Sequence, residues 1–145
     1  MIDAPGNGSH VTCVRVYYED TDAAGIVYYA NYLKFAERAR SELMRDIGDG
    51  EYTRMVAAGM HFVVRRCVVD YLGAARLDDL LEVHSRMLEL RGASLAAEQI
   101  VRRGGRDLVT MKIDLACLGP GGRPARIPAG LRAALEKYAE TAAAS

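Results

Sequence analysis

A single helical stripe interrupts a sequence that is otherwise patterned as strands. Apolar residues recur every three or four positions over residues 32–47, which predicts one amphipathic helix that ends at Gly48 and Gly50. Later segments alternate strictly between apolar and polar residues, most clearly over residues 109–117, and this period predicts half-buried strands. One long helix among several strands predicts an α+β fold in which the helix packs on one face of an antiparallel sheet.

The remaining segments extend this prediction along the chain. The four long strands after the helix are expected to follow one another in hairpin-like succession. A sheet of this kind keeps an exposed edge, so we expect pairing between copies of the chain. We expect a flexible tail over residues 1–10, a single domain over residues 11–140 and a second flexible tail over residues 141–145. Strands are predicted over 11–19, 62–72, 81–87 and 95–103, with a weakly patterned helix over 129–140.

Composition excludes several classes of protein. The 145 residues include 19 Lys and Arg and 19 Asp and Glu, so the formal net charge is zero and a strongly basic nucleic-acid surface is not expected. The chain has neither an apolar run long enough to span a membrane nor the basic and apolar regions of a signal peptide. The three cysteines form no CxxC pair, which disfavours a zinc site or a disulfide scaffold. We therefore expect a cytoplasmic protein.

The turn before the helix combines residues that suit carbonyl chemistry. Asp20 and Asp22 precede Gly25, and the predicted helix starts soon afterwards. A helix N-terminus presents unpaired N–H groups that can hold an oxyanion, while a nearby carboxylate can attack a carbonyl or activate water. The alternatives are a plain turn with a helix cap, and a Mg²⁺ site on the two aspartates, although no further ligand lies near them in sequence.

A long motif containing this turn resembles a known enzyme family. Residues 15–32, RVYYEDTDAAGIVYYANY, are similar to the signature of the hotdog-fold thioesterases of the 4-hydroxybenzoyl-CoA thioesterase family. Within it they most resemble the Tol–Pal-associated acyl-CoA thioesterases of bacteria. The resemblance spans about residues 14–127 and continues in FAERAR (35–40), FVVR (62–65), ARLDD (75–79) and LRGASL (90–95).

The resemblance implies a fold and a set of site residues. It implies a long helix wrapped by a curved antiparallel sheet, in homodimers or dimers of dimers with active sites at the subunit interface. Asp22 is the implied catalytic carboxylate, and the backbone N–H of Tyr29 is the implied donor to the thioester carbonyl. Many members of the Tol–Pal branch carry His where this chain has Tyr29, which leaves the preferred acyl group open. The implied substrate-binding residues are Gly25, Val27, Asn31, Arg91 and Ser94.

The expected function is hydrolysis of acyl-CoA to the free acid and CoA, without a metal or other cofactor. The sequence leaves open whether Asp22 attacks the carbonyl itself or activates a water. It also leaves open an acyl-carrier-protein thioesterase, which a basic patch of Arg91, Arg102, Arg103 and Arg106 would serve, and a non-catalytic acyl-binding scaffold. A hotdog dehydratase is disfavoured because no histidine–acid pair of the required kind is evident near His61 or His84.

Overall fold

The computed structural model describes residues 2–3 and 9–144, and side chains over residues 9–139. It confirms the α+β prediction with a six-stranded antiparallel sheet, three α-helices and a short 3-10 turn at Tyr18–Asp20. Of the predicted tails, residues 1, 4–8 and 145 lie outside the described part of the chain. The strands are β1 (Ile2–Asp3), β2 (His10–Arg15), β3 (His61–Tyr71), β4 (Leu80–Leu90), β5 (Ser94–Arg103) and β6 (Arg106–Leu118), and the helices are α1 (Asn31–Ile47), α2 (Glu51–Ala57) and α3 (Ala129–Ala144).

The strand order differs from simple hairpin succession. The order is β1-β2-β4-β5-β6-β3, so β4, β5 and β6 are consecutive neighbours as predicted. The prediction is wrong for β3, which crosses to the far side and pairs with β6 from His61↔Leu118 to Tyr71↔Val109. Strand β3 therefore forms one edge of the sheet, and the side of β3 that faces away from β6 pairs with no strand among the described residues.

Two further local predictions are corrected. The first strand ends at Arg15 instead of residue 19, because the Tyr17 N–H donates to the Asp20 carboxylate (2.8 Å) and turns the chain. Gly48 follows α1 as predicted, but Gly50, with φ +81°, begins the unpredicted helix α2. Seven residues between glycines carry too little periodicity to predict a helix.

Helix α1 lies on the face of the sheet formed by β2, β4 and β5. Its buried stripe includes Tyr32, Phe35, Ala36, Ala39 and Leu43, the positions that the helical period selected. This face packs against alternate residues of the strands, and α3 closes the core with Leu131, Leu135 and Tyr138. Among the described residues, no helix is both long and apolar enough to cross a membrane.

Candidate active site

The loop between β2 and α1 is shaped by Asp20. Its side chain accepts the Tyr17 N–H, and its carbonyl accepts hydrogen bonds from the Tyr28 N–H and the Asn31 side-chain amide, both at 2.9 Å. These bonds close residues 20–28 into a compact loop that leads directly into α1. Asp20 thus serves the loop conformation. Over the described residues, no group of three His, Cys, Asp or Glu side chains could hold a metal ion.

Asp22 lies exposed within this loop with one carboxylate oxygen held in place. Its Oδ1 accepts the Ala24 N–H at 2.8 Å, and its own N–H donates to the Ile26 carbonyl at 2.9 Å. The second carboxylate oxygen contacts no donor among residues 9–139. Gly25 completes the turn with φ +78°, a left-handed conformation that favours glycine. A fixed carboxylate with one free oxygen can act as a nucleophile or a base.

The start of α1 leaves a backbone donor free. The Asn31 N–H donates to the Tyr28 carbonyl (2.8 Å), and the Leu33 N–H donates to the Ala30 carbonyl (3.1 Å). The Tyr29 N–H, in contrast, donates to no acceptor in the described part of the chain. It stands one residue before the N-cap of α1, where the helix dipole favours negative charge. This N–H is available to a carbonyl oxygen that develops charge.

Tyrosine side chains surround this donor. The rings of Tyr28 and Tyr29 lie 4.9 Å apart, and the Tyr29 ring meets the Tyr71 ring edge to face at 6.0 Å. The neighbouring Tyr29 side chain, and to a lesser extent the Asp22 carboxylate, raise the pKa of Tyr28. The Asp22 carboxylate and the tyrosines therefore share one exposed surface at the beginning of α1.

A second loop, residues 72–79, packs against the loop that carries Asp22 and supports it. The Val27 N–H donates to the Ala75 carbonyl (2.9 Å), and the Ala75 N–H donates to the hydroxyl of buried Tyr32 (3.0 Å). Asp79 fixes this second loop by accepting the Arg76 N–H and the Arg103 guanidinium, both at 2.8 Å. These two donors, the Arg76 N–H first, lower the pKa of Asp79. The contacts of this loop with Val27, Tyr32 and Arg103 could not be predicted from the sequence, since these partners are far apart along the chain.

The predicted substrate-binding residues separate into two groups. Gly25 is exposed and Asn31 is half-buried, and both lie in or beside the Asp22 loop. Val27 also belongs to that loop, but its side chain is only 3% exposed and packs in the core. Arg91 and Ser94 form the β4–β5 turn, and Arg91 is paired with Glu89 at 2.8 Å and Asp114 at 3.6 Å.

The distance along β4 separates these groups within one chain. The 72–79 loop enters β4 at Leu80, whereas Arg91 follows the last residue, Leu90. Ten steps of a strand at about 3.3 Å each span roughly 30 Å. One chain therefore brings together Asp22, Gly25, Tyr29 and Asn31, but it does not bring Arg91 and Ser94 to them.

Histidine–acid pairs do exist, contrary to the expectation from sequence. His84 contacts Glu82 at 3.0 Å on β4, because residues two apart on a strand share a face. The His10 ring contacts Asp46 at 2.8 Å, and His10 is the first residue of β2. Neither pair belongs to the loop that carries Asp22.

Comparison with known proteins identifies the family. The thioesterase superfamily model matches residues 24–110. The chain is 42% identical over 122 residues to acyl-CoA thioesterase YbgC of Haemophilus influenzae, covering 83% of this chain and 90% of that protein. It is 43% identical over 108 residues to acyl-CoA thioester hydrolase YbgC of Escherichia coli O6:H1, covering 74% and 80%.

Solved structures agree with this assignment and with the expected hotdog fold. The crystal structure of a probable thioesterase from Bartonella henselae superposes with a TM-score of 0.77 at 38% identity, covering 83% of this chain and 99% of that one. The α+β hotdog architecture expected from the sequence is thereby confirmed. The chain belongs to the thioesterase superfamily and is a thioester hydrolase.

Proposed function

We propose that the protein hydrolyses acyl-CoA thioesters, with Asp22 as the catalytic carboxylate and the Tyr29 N–H as the oxyanion donor. The observation that carries this proposal is the exposed Asp22 carboxylate in a loop that leads into a free N–H at the start of α1. The two YbgC relatives are named for activity on acyl-CoA, which supports the choice of substrate class.

The reaction follows from these two groups. The thioester carbonyl oxygen accepts the Tyr29 N–H, so that charge developing on this oxygen meets the donor and the α1 dipole. The free oxygen of Asp22 then attacks the carbonyl carbon and expels the CoA thiolate, leaving an acyl-aspartyl anhydride that water hydrolyses. In the alternative, Asp22 removes a proton from a water that attacks the same carbon directly. Both routes give the free acid and CoA.

We also propose that a second copy of the chain completes the site. Strand β3 is an eleven-residue edge with exposed Val64 and Val68, which is a template for pairing with another strand. A two-fold axis beside β3 sets the Tyr71 end of one chain next to the His61 end of the other. Since Leu118 pairs with His61 and Ala116 pairs with Ser94, the β4–β5 turn lies toward that His61 end.

This arrangement accounts for the separation of the predicted site residues. Arg91 and Ser94 of a second copy would approach the Asp22 loop, where the Arg91 guanidinium suits a CoA phosphate. Arg91, Arg102 and Arg103 of the basic patch each pair with a carboxylate, so the preference for CoA over an acidic carrier protein rests on the names of the two YbgC relatives. We place this activity in the cytoplasm, in keeping with three free cysteines.

The first test compares Asp22→Asn with the wild type on aliphatic and aromatic acyl-CoA thioesters, with release of free thiol as the measurement. Loss of one oxyanion donor typically costs ~10²–10³-fold in rate, and loss of the catalytic carboxylate should cost at least as much. We therefore expect kcat/KM to fall by at least this factor, with the fold unchanged. Asp49→Asn, the same change beyond the far end of α1, is the matched control and should retain activity. Near-native turnover by Asp22→Asn would refute the assignment, and a wild type inactive on the whole panel would favour the scaffold or a carrier-protein substrate.

The second test mixes Asp22→Asn, which should be inactive, with Arg91→Ala, at an acyl-CoA concentration so low that Arg91→Ala alone has little activity. If the site is shared, a random mixture of dimers regains about one quarter of wild-type activity, because half the dimers are mixed and each mixed dimer holds one intact site. Arg91→Ala alone is expected to raise KM for CoA thioesters. No recovery in a mixture shown to contain mixed dimers would contradict the shared site.

A further inference from the structure

Tyr71 ends β3 and contacts the peptide that follows the proposed oxyanion donor. Its hydroxyl donates to the Tyr29 carbonyl at 3.1 Å, and its ring packs edge to face on the Tyr29 ring at 6.0 Å and 85°. The two residues are 42 positions apart in the chain. This contact therefore joins the end of an edge strand to the beginning of α1.

The Tyr29 carbonyl depends on this hydroxyl. Tyr29 precedes the N-cap of α1, so its carbonyl lies outside the helical hydrogen-bond ladder and is not expected to accept the Leu33 N–H. The Leu33 N–H instead donates to the Ala30 carbonyl at 3.1 Å. Within the described residues, the Tyr71 hydroxyl is the one donor to the Tyr29 carbonyl, so the helix does not hold this peptide by itself.

The Tyr71 ring also links the site to the core. It lies 6.0 Å from the ring of Tyr32, which is 2% exposed and lies 6.0 Å from Phe35. Tyr71 itself is 45% exposed, and burial is the main cause that raises the pKa of its hydroxyl. The hydroxyl thus stays protonated near neutral pH and remains a donor.

We propose that Tyr71 is a positioning residue for thioester hydrolysis: its hydroxyl holds the Tyr29 carbonyl, and thereby aims the Tyr29 N–H at the substrate carbonyl. The inference rests on the proposed function of the Tyr29 N–H. A donor that must meet a charge formed only during the reaction contributes most when its orientation is fixed beforehand. Tyr71 does not touch the reacting atoms, and its effect passes through the Tyr29 backbone.

The test is Tyr71→Phe, which removes the hydroxyl and keeps the ring contacts. We expect kcat to fall several-fold to about tenfold, the range that one neutral hydrogen bond spans, with KM for the acyl-CoA and the thermal midpoint little changed. Tyr138→Phe is the matched control. It removes a buried hydroxyl that donates to the Ser85 carbonyl (3.2 Å) between α3 and β4, and should lower the thermal midpoint while kcat of the folded enzyme stays near wild type.

Amide hydrogen exchange gives a readout independent of turnover. Tyr71→Phe should speed exchange of the Tyr28 and Asn31 amides, whose hydrogen bonds flank Tyr29, and leave the sheet amide of Met111 unchanged. Unchanged kcat, or a loss of kcat that only matches a lower thermal midpoint, overturns the inference, as does unchanged exchange at Tyr28 and Asn31. A wild type that hydrolyses no thioester overturns the proposed function instead, while the exchange comparison still decides whether Tyr71 holds the loop.

Discussion

The Gln99 side chain makes three hydrogen bonds, two of which join α1 to the sheet, and its replacement by methionine should be strongly destabilising. Gln99 is fully buried on β5. Its Nε2 donates to the Ala36 carbonyl and to the Ser85 hydroxyl, and its Oε1 accepts the Arg40 guanidinium, each at 2.9 Å. Only this orientation of the amide satisfies both the carbonyl and the guanidinium.

The magnitude follows from these partners. Methionine is close to glutamine in volume, so Gln99→Met creates little cavity and removes mainly the hydrogen bonds. The two neutral hydrogen bonds contribute about 1 kcal/mol each, and the one to the charged guanidinium contributes about 1.5–3 kcal/mol. The net loss is smaller than this sum, because the half-buried Arg40 side chain can regain part of its hydration from solvent. Burial already lowers the pKa of Arg40, so its loss of a partner is costly. We expect a loss of roughly 3 kcal/mol and a thermal midpoint lower by about 6–12 °C.

Urea unfolding monitored by circular dichroism measures this loss. Gln99→Met should lower the midpoint without changing the m-value, since the folded state stays compact. Ser85→Ala is the control, because it removes one of the three bonds and should cost about 1 kcal/mol. If Gln99→Met lies within about 1 kcal/mol of the wild type, the network does not stabilise the fold as argued.

Three further predictions concern the elements around the site. Gly25→Ala should cost about 1–2 kcal/mol in urea unfolding, because φ is +78° while the space around the new methyl is open, and an unchanged stability would exclude backbone strain. The lowered pKa of Asp79 gives a stabilisation that is present above the ordinary aspartate pKa of about 3.9 and is lost as pH falls through the folded value. Wild type and Asp79→Asn should therefore differ in stability at pH 7 and converge in acid, whereas a constant difference in unfolding free energy from pH 7 to pH 2 would contradict this. Val68→Lys on the β3 edge should shift sedimentation toward a monomer and lower activity, and an unchanged dimer would exclude this edge as the interface.

The local pattern of apolar and polar residues predicted those helices and strands that have one buried face and one exposed face. The stripe of α1 and the alternation of β4 and β6 were predicted because core burial imposes these periods. The position of β3 was missed because β3 pairs with β6, some fifty residues later, and strand sequences do not specify such distant neighbours. Tyr17 and Tyr18 have strand propensity, but a hydrogen bond to Asp20 overrode it.

The site, like the fold, combines residues that are close together in the sequence with residues that only the fold brings near. Asp22, Gly25 and Tyr29 lie within one short motif, so the sequence could propose them together. Tyr71 and the 72–79 loop reach that motif only through the fold, and a tyrosine at the end of a strand carries no sign of such a role. Arg91 and Ser94 were predicted to bind substrate from the family resemblance, and the length of β4 separates them from Asp22 within one chain.

The contacts around α1 divide into those that orient the reacting groups and those that keep the helix on the sheet. Gln99 holds α1 at Ala36, seven residues beyond Tyr29 and therefore about 10 Å along the helix axis. Tyr71 holds the chain at Tyr29 itself. Loss of the Gln99 network should accordingly reduce the fraction of folded enzyme and leave kcat per folded molecule intact, whereas loss of the Tyr71 hydroxyl should reduce kcat in an enzyme of nearly unchanged stability. If both variants lost kcat and stability in proportion, the oxyanion donor would be set by the global packing of α1, and no separate contact at its N-terminus would be needed.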